Sequence, residues 1–244
     1  MGLNESFKST CRVLFGREIG ELEEYRQYLM EGVDSPALAK SVVSGKRVYL
    51  SRPHYAKDAR FIDVAEMGTA AGALSVNDMK DIDSVLAALS EKFAYCGNKN
   101  LGRSMDVAES DMCQDAMYVL SSQNVIESKY VAYCNGIRQS EATFGCQLGG
   151  EVGFAVHSQI FFYTKRCFDS YLCVSSSDLY SCFNCKNCMD AMFCFNQNSK
   201  RHAIGNLELP KEKYLVIKKK LLSEIAEELE AKKRFPSVFE AAGA

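Results

Sequence analysis

Residues 117–196 read MYVLSSQNVIESKYVAYCNGIRQSEATFGCQLGGEVGFAVHSQIFFYTKRCFDSYLCVSSSDLYSCFNCKNCMDAMFCFN. Apolar runs of three to five residues, such as YVAY at 130–133 and YLCV at 171–174, are separated by Ser, Asn, Asp and Gly. Those separators tolerate tight turns and hydrogen-bond their own backbone. The alternation returns with a step of twelve, which relates Tyr118 to Tyr130, Ser128 to Ser140 and Cys134 to Cys146. Phe144, Val156 and Phe168 keep the same step, as do Ser158 and Ser170. After Ser170 the register drifts and the units shorten. Helical repeat arrays need units of roughly 33–47 residues with helical apolar spacing. Short strand, turn, short strand is therefore the reading. A step of twelve is either half of a two-sided coil or one strand–turn unit of a larger one, and residues per coil stay open.

Stacking explains why such a segment folds. A single rung cannot bury its apolar face, but stacked rungs pair their backbones at roughly 4.8 Å and pile similar side chains into interior ladders. Cysteine is small and apolar enough for a ladder, and stacked rings add a contribution of their own. Between Pro53 and Pro210 there is no proline to interrupt strand pairing. The expected fold is α+β: a parallel β-solenoid (a β-helix) with a mainly helical N-terminal region and a C-terminal capping helix. Its hand is taken as right-handed from the prevalence of right-handed crossovers.

Charge and cysteine divide the chain in the same way. Residues 111–200 hold 14 charged residues and nine of the 11 cysteines, whereas 201–240 holds 16 charged residues. The expected parts are a helical region over 1–110, the solenoid over 111–205, and a capping helix with tail over 206–244. A net charge of −2 selects neither nucleic acid nor an anionic surface. No run of about 18 apolar residues suggests a membrane span. The N-terminus lacks the pattern of a secretory signal, and an odd cysteine count in a long chain argues against a disulfide framework. These features point to a cytoplasmic protein with reduced thiols.

Both ends read as helical. Residues 6–15 form a short candidate closed by Gly16. Ile19, Leu22, Tyr25 and Leu29 mark a second over 18–30. Ser35-Pro36 opens a third reaching Val43, and Lys46–Leu50 reads as a strand. Met79, Ile82, Val85, Leu86, Leu89 and Phe93 form another helical stripe. Both stripes are expected to pack in the core. Beyond Pro210, the stripe Tyr214, Ile217, Leu221, Leu222, Ile225 and Leu229 marks a helix that closes the solenoid, since an open end exposes unpaired edges.

Cys182, Cys185, Cys188 and Cys194 are the candidates for chemistry, spaced C-x2-C-x2-C-x5-C. Thiolates so placed resemble part of a zinc site or an iron–sulfur ligand run. The fourth spacing departs from C-x2-C-x2-C-x3-C-P, and the competing reading seats all four in the interior ladder. A nucleophilic cysteine needs a base within reach, and Cys194 with His202 is the pair nearest in sequence. Asp169, Asp178 and Asp190 fall near turns, which accounts for them without paired-carboxylate catalysis. In Phe161-Phe162-Tyr163 the run is long enough to leave a ring outside.

The segment YSCFNCKNCMDAMFCFNQNSKRHAIGNLELPKEKY (180–214), followed by a Lys/Glu-rich helix, resembles an element of uncharacterised Cys/Ser-rich proteins of archaea and uncultured bacteria. The resemblance covers about residues 115–235. It implies the repeat-plus-cap organisation and brings no activity with it. The expected function is a non-catalytic scaffold or protein-interaction module with a protein partner, as a homo-oligomer or part of a larger assembly. No cofactor is required by that reading. The alternatives are a zinc- or iron–sulfur-binding protein using Cys182, Cys185, Cys188 and Cys194, and then a cysteine-dependent enzyme.

Overall fold

The computed structural model describes residues 2–51, 54–69, 72–241 and 243. Its body is a parallel β-solenoid of about eight turns. Cα partners on neighbouring coils are twelve residues apart, as in Met105, Met117 and Lys129, and in Lys165, Ser177, Met189 and Arg201. Twelve residues are thus one complete coil. The step also holds beyond Ser170, where drift was expected.

A second, shorter period builds the coil. From Asp106 to His202 nearly every third residue has a positive φ, between 44° and 79°. Each is a corner, and four corners close a coil. The left-handed conformation costs a side-chain-bearing residue roughly 1–2 kcal/mol. Asp, Asn and Gly accept it most readily, and they stand at many corners, including Asn124, Gly136, Gly145, Asp169, Asp178, Asn184, Asn187, Asp190 and Asn196.

One residue of each triplet points inward, so the core is also read every third residue. Val107, Val119 and Val131 form one interior row. Ser110, Ser122, Cys134 and Cys146 belong to another, continued by Ser170, Cys182 and Cys194. The serines carry hydrogen bonds between coils. Ser122 Oγ donates to the Leu120 carbonyl at 2.8 Å and accepts from the Cys134 amide of the next coil at 3.0 Å. Ser170 joins Phe168 to Cys182 in the same way, and Ser176 joins Val174 to Cys188. Thiols take the equivalent place. Cys182 Sγ lies 3.5 Å from the Tyr180 carbonyl, and Cys194 Sγ accepts from the Asn206 amide at 3.4 Å. A small side chain that both donates and accepts is what the inner wall needs, so Ser and Cys share those positions.

One outer flank is apolar. Ala132, Phe144, Val156, Phe168, Tyr180 and Met192, each a coil apart, join one core with residues from both ends of the chain. Helix α1 (Leu3–Phe15) sets Phe7 edge-on to Phe144 at 5.3 Å and Phe15 edge-on to Phe168 at 5.0 Å. Burying rings of this size is worth roughly 1.5–3 kcal/mol each. Residues 22–25 form a 3-10 turn that leads into α2 (Arg26–Leu29), so the helix expected over 18–30 is shorter, though Ile19, Leu22, Tyr25 and Leu29 are all buried. Corner residue Gly145 lets the α2 backbone touch the solenoid, because a Cβ there would fall on the Leu29 carbonyl.

Residues 35–43 are not helical. Strand β1 (Ala37–Lys40) pairs antiparallel with β2 (Arg47–Leu50), placing Ala39 opposite Val48. Cross-strand pairing here outweighs the helix-opening signal of Ser35-Pro36. Strand β3 (Phe61–Asp63) runs parallel to β4 (Tyr95–Gly97), which follows α3 (Ile82–Lys92). The α3 stripe was expected in the core, yet Ile82, Leu86, Leu89 and Phe93 are exposed. At the first coils, buried Asp111 accepts from Lys99 N and Nζ, both at 2.8 Å, and from Ser51 N at 2.7 Å. These bonds tie the preceding subdomain to the solenoid.

Helix α4 (Lys211–Lys232) lies along the apolar flank beside α1. Tyr214 packs on His202, Lys218 reaches Asp190 at 2.9 Å, and Tyr25 Oη donates to the Leu229 carbonyl at 3.2 Å. At the end of the stack, Arg201–Ile204 turns back through Gly205-Asn206 and pairs antiparallel with Leu207–Glu208.

Candidate functional site

The four candidate cysteines lie inside the solenoid. Cys182, Cys185 and Cys188 occupy three successive sides of one coil, and Cys194 stands one coil beyond Cys182. All four are at most 1% exposed. The x2 spacing is therefore the triplet period of the coil. The thiols of Cys173, Cys182 and Cys188 neighbour that of Cys185, so sulfur is concentrated there. Each thiol also faces backbone carbonyls, as Cys188 does Lys186 O at 3.4 Å and Cys185 does Phe183 O at 3.5 Å. Among the described residues, no three His, Cys, Asp or Glu side chains converge as a metal ion requires. All 11 cysteines are free.

Burial governs their acidity. It pushes the thiols of Cys113 and Cys167 up to about 12 and that of Cys182 well above the ordinary range. Cys185 is drawn the other way, first by hydrogen bonds from Cys173 and Cys182. Reaching Cys185 would still require the coil to open. Cys194 and His202 are not brought together as a nucleophile and base. Cys194 points inward with its sulfur against Met192 O, whereas His202 is a corner residue packed on Tyr214, with Nε2 4.0 Å from Asp190.

Asp169, Asp178 and Asp190 are all corners, and each has a partner. Arg166 grips Asp178 through two bonds of 2.6 Å, Lys218 holds Asp190, and His157 holds Asp169. The last pair escaped sequence reasoning, although its signal was present: His157 and Asp169 are one twelve-residue step apart. His157 Nδ1 lies 2.7 Å from Asp169 Oδ1, and Nε2 lies 3.3 Å from the Glu31 carbonyl. Both ring nitrogens thereby face oxygen acceptors of the protein itself. Tyr28 lies against the imidazole, with centroids 4.3 Å apart. Burial raises the Asp169 carboxyl, and the hydrogen bond from His157 counters it. Asp169 Oδ2 and Tyr28 Oη are buried without a hydrogen-bond partner among the described residues.

A C-terminal strap crosses the solenoid beside this pair. Arg234 binds Glu31 at 2.8 and 3.2 Å and Glu240 at 3.0 Å, which fixes the short helix α5 (Val238–Ala241) in place. Phe239 meets Tyr171 and Phe183 edge-on at 5.0 and 5.4 Å. On one side of this ring lies an apolar groove of about 470 Å³, lined by Phe183, Phe193, Phe195, Phe235 and Pro236. On the other lies a cavity of about 190 Å³ that includes Glu31, His157, Asp169 and Tyr171. Phe195 is 51% exposed beside the groove, and Phe162 and Tyr163 of the expected aromatic run also stand outside. No helix among the described residues is long and apolar enough to cross a membrane.

No protein-family model matches the chain, and no curated protein matches it.

Proposed function

We propose that the protein is a non-catalytic cytoplasmic scaffold that presents a rigid β-solenoid to a protein partner. The inward seating of the sulfur groups carries this reading. The solenoid's abundant nucleophile faces the backbone of its own and the next coil, and Cys194 turns away from His202. The partner is expected to place apolar side chains in the groove formed by Phe183, Phe193, Phe195 and Phe235, where half-exposed Phe195 supplies a contact at no folding cost. Sedimentation of the purified full chain with fractionated extract tests this. One protein should co-migrate stoichiometrically with wild type and separate from Phe195→Glu. Co-migration unaffected by the substitution, or a chain sedimenting alone in every fraction, would refute the reading.

Metal binding is the second reading, supported by the thiols surrounding Cys185. It requires those side chains to swing away from their carbonyls. Elemental analysis of untagged protein decides it: about one equivalent of zinc, or iron in cluster stoichiometry, would favour metal over the purely structural ladder.

A further inference from the structure

Tyr171, Phe183 and Phe195 are Cα partners on three successive coils, so they form one exterior row of rings. The first two stack at 5.8 Å, and the C-terminal strap covers them: Phe239 stands edge-on to Tyr171 at 5.0 Å and to Phe183 at 5.4 Å. The chain thus supplies its own example of what this wall accepts. One coil further on, ~4.8 Å along the stack, Phe183 and Phe195 repeat the pair. Phe195 of this second pair is 51% exposed. The groove of about 470 Å³ lies here, lined by both rings together with Phe193, Phe235, Pro236 and Phe239.

Size and chemistry select the occupant. An apolar space of ~150 Å³ already holds benzene, so the groove admits a phenyl ring together with the Cβ and backbone that carry it. An aliphatic side chain would gain burial alone. A ring gains burial and also the edge-to-face attraction that Phe239 shows with the neighbouring pair. A charged or strongly polar group would lose its water to a lining of rings and proline. We propose that the slot formed by Phe183 and Phe195 receives the phenylalanine ring of a protein partner, seated as Phe239 is seated one coil earlier. This rests on the scaffold reading for the existence of a partner, and it names the residue that the partner presents.

Amide chemical shifts of the full chain test the proposal with two probes. N-acetyl-phenylalanine methylamide should give saturable shifts centred on Phe193 and Phe195. The cyclohexylalanine analogue is more apolar but has no π face, and it should bind at least about threefold more weakly. Phe195→Ala should abolish the response to the phenylalanine probe, and Phe195→Tyr should retain it. Equal or tighter binding of the cyclohexyl analogue, or no binding of either probe, would overturn the proposal, and neither result depends on a variant that folds. Shifts centred on Tyr171 would mean exchange with Phe239 and would also overturn it. So would self-association of the pure chain that Phe195→Ala abolishes, because a second copy would then hold the slot. The two readings fail apart. A partner that separates from Phe195→Glu while both probes bind alike sinks the ring and keeps the scaffold, whereas selective ring binding with no co-migrating protein sinks the scaffold and keeps the ring slot.

Discussion

Replacing Ser122 tests why the inner wall is built from serine and cysteine. The residue is fully buried, and its hydroxyl holds two backbone groups on adjacent coils: the Leu120 carbonyl at 2.8 Å and the Cys134 amide at 3.0 Å. Ser122→Ala removes both bonds and leaves a buried N–H unpaired. An orphaned buried donor costs roughly 1–3 kcal/mol and the lost hydroxyl bond roughly 1 more, so Ser122→Ala should cost about 2–4 kcal/mol. Ser122→Cys should cost under about 1 kcal/mol, because the slightly larger thiol keeps a weak donor and acceptor in place. The same interior row already accepts cysteine at 134, 146, 182 and 194. Urea unfolding followed by far-ultraviolet circular dichroism measures all three proteins, with unchanged slopes confirming a common unfolded state. Alanine would be the more stable replacement if packing alone set the choice of residue. An alanine variant matching or exceeding the cysteine variant would therefore refute the bridging argument.

Other consequences can be measured with equal directness. Burial raises the thiols of Cys11, Cys113 and Cys167 from 9.0 to about 12. The folded protein keeps these protons where the unfolded chain releases them, so their contribution is complete below pH 9 and is lost as pH rises towards 12. Each should lose about 1.4 kcal/mol by pH 10, together about 4 kcal/mol relative to pH 8, and a flat urea midpoint over that interval would contradict the burial. Gly145 has φ +67° and abuts the Leu29 carbonyl, so Gly145→Val should cost about 2–4 kcal/mol and speed limited proteolysis between residues 17 and 36. Leu86 lies on the exposed face of α3, so Leu86→Gln should change stability by less than about 0.5 kcal/mol, and a larger loss in thermal unfolding would mean that this face is covered.

Repetition was the legible part of this chain. The step from Cys134 to Cys146 and the series Phe144, Val156 and Phe168 announced stacked coils, and the structure contains them. The size of the coil was harder to read, because two periods overlap. Interior slots recur every third residue, so Cys182, Cys185 and Cys188 resemble a chelating motif or a shortened repeat. They are three sides of one ordinary coil. Asp178, Asn184, Asn187 and Asp190, separated by multiples of three, were the signal that could have revealed the corners. The Asp169–His157 pair became visible only once twelve residues meant vertical neighbours. Helical stripes misled in another way. Spacing identifies an amphipathic helix but does not identify what covers it, so the stripes of residues 19–29 and 79–93 looked alike, while only the first meets the solenoid.

The brace along the flank limits how this molecule can grow. Its 22 residues extend ~33 Å, whereas each storey of the tower rises ~4.8 Å, and the brace meets the tower at His202, Asp190 and Tyr180 before reaching Tyr25 of the N-terminal segment. Duplicating twelve codons would add a storey whose walls mate above and below. The brace would then need about three more residues to keep its contacts, and three residues turn a helix by about 300°, which leaves its apolar edge about 60° out of line. Height in this chain is thereby coupled to the length and phase of its strut.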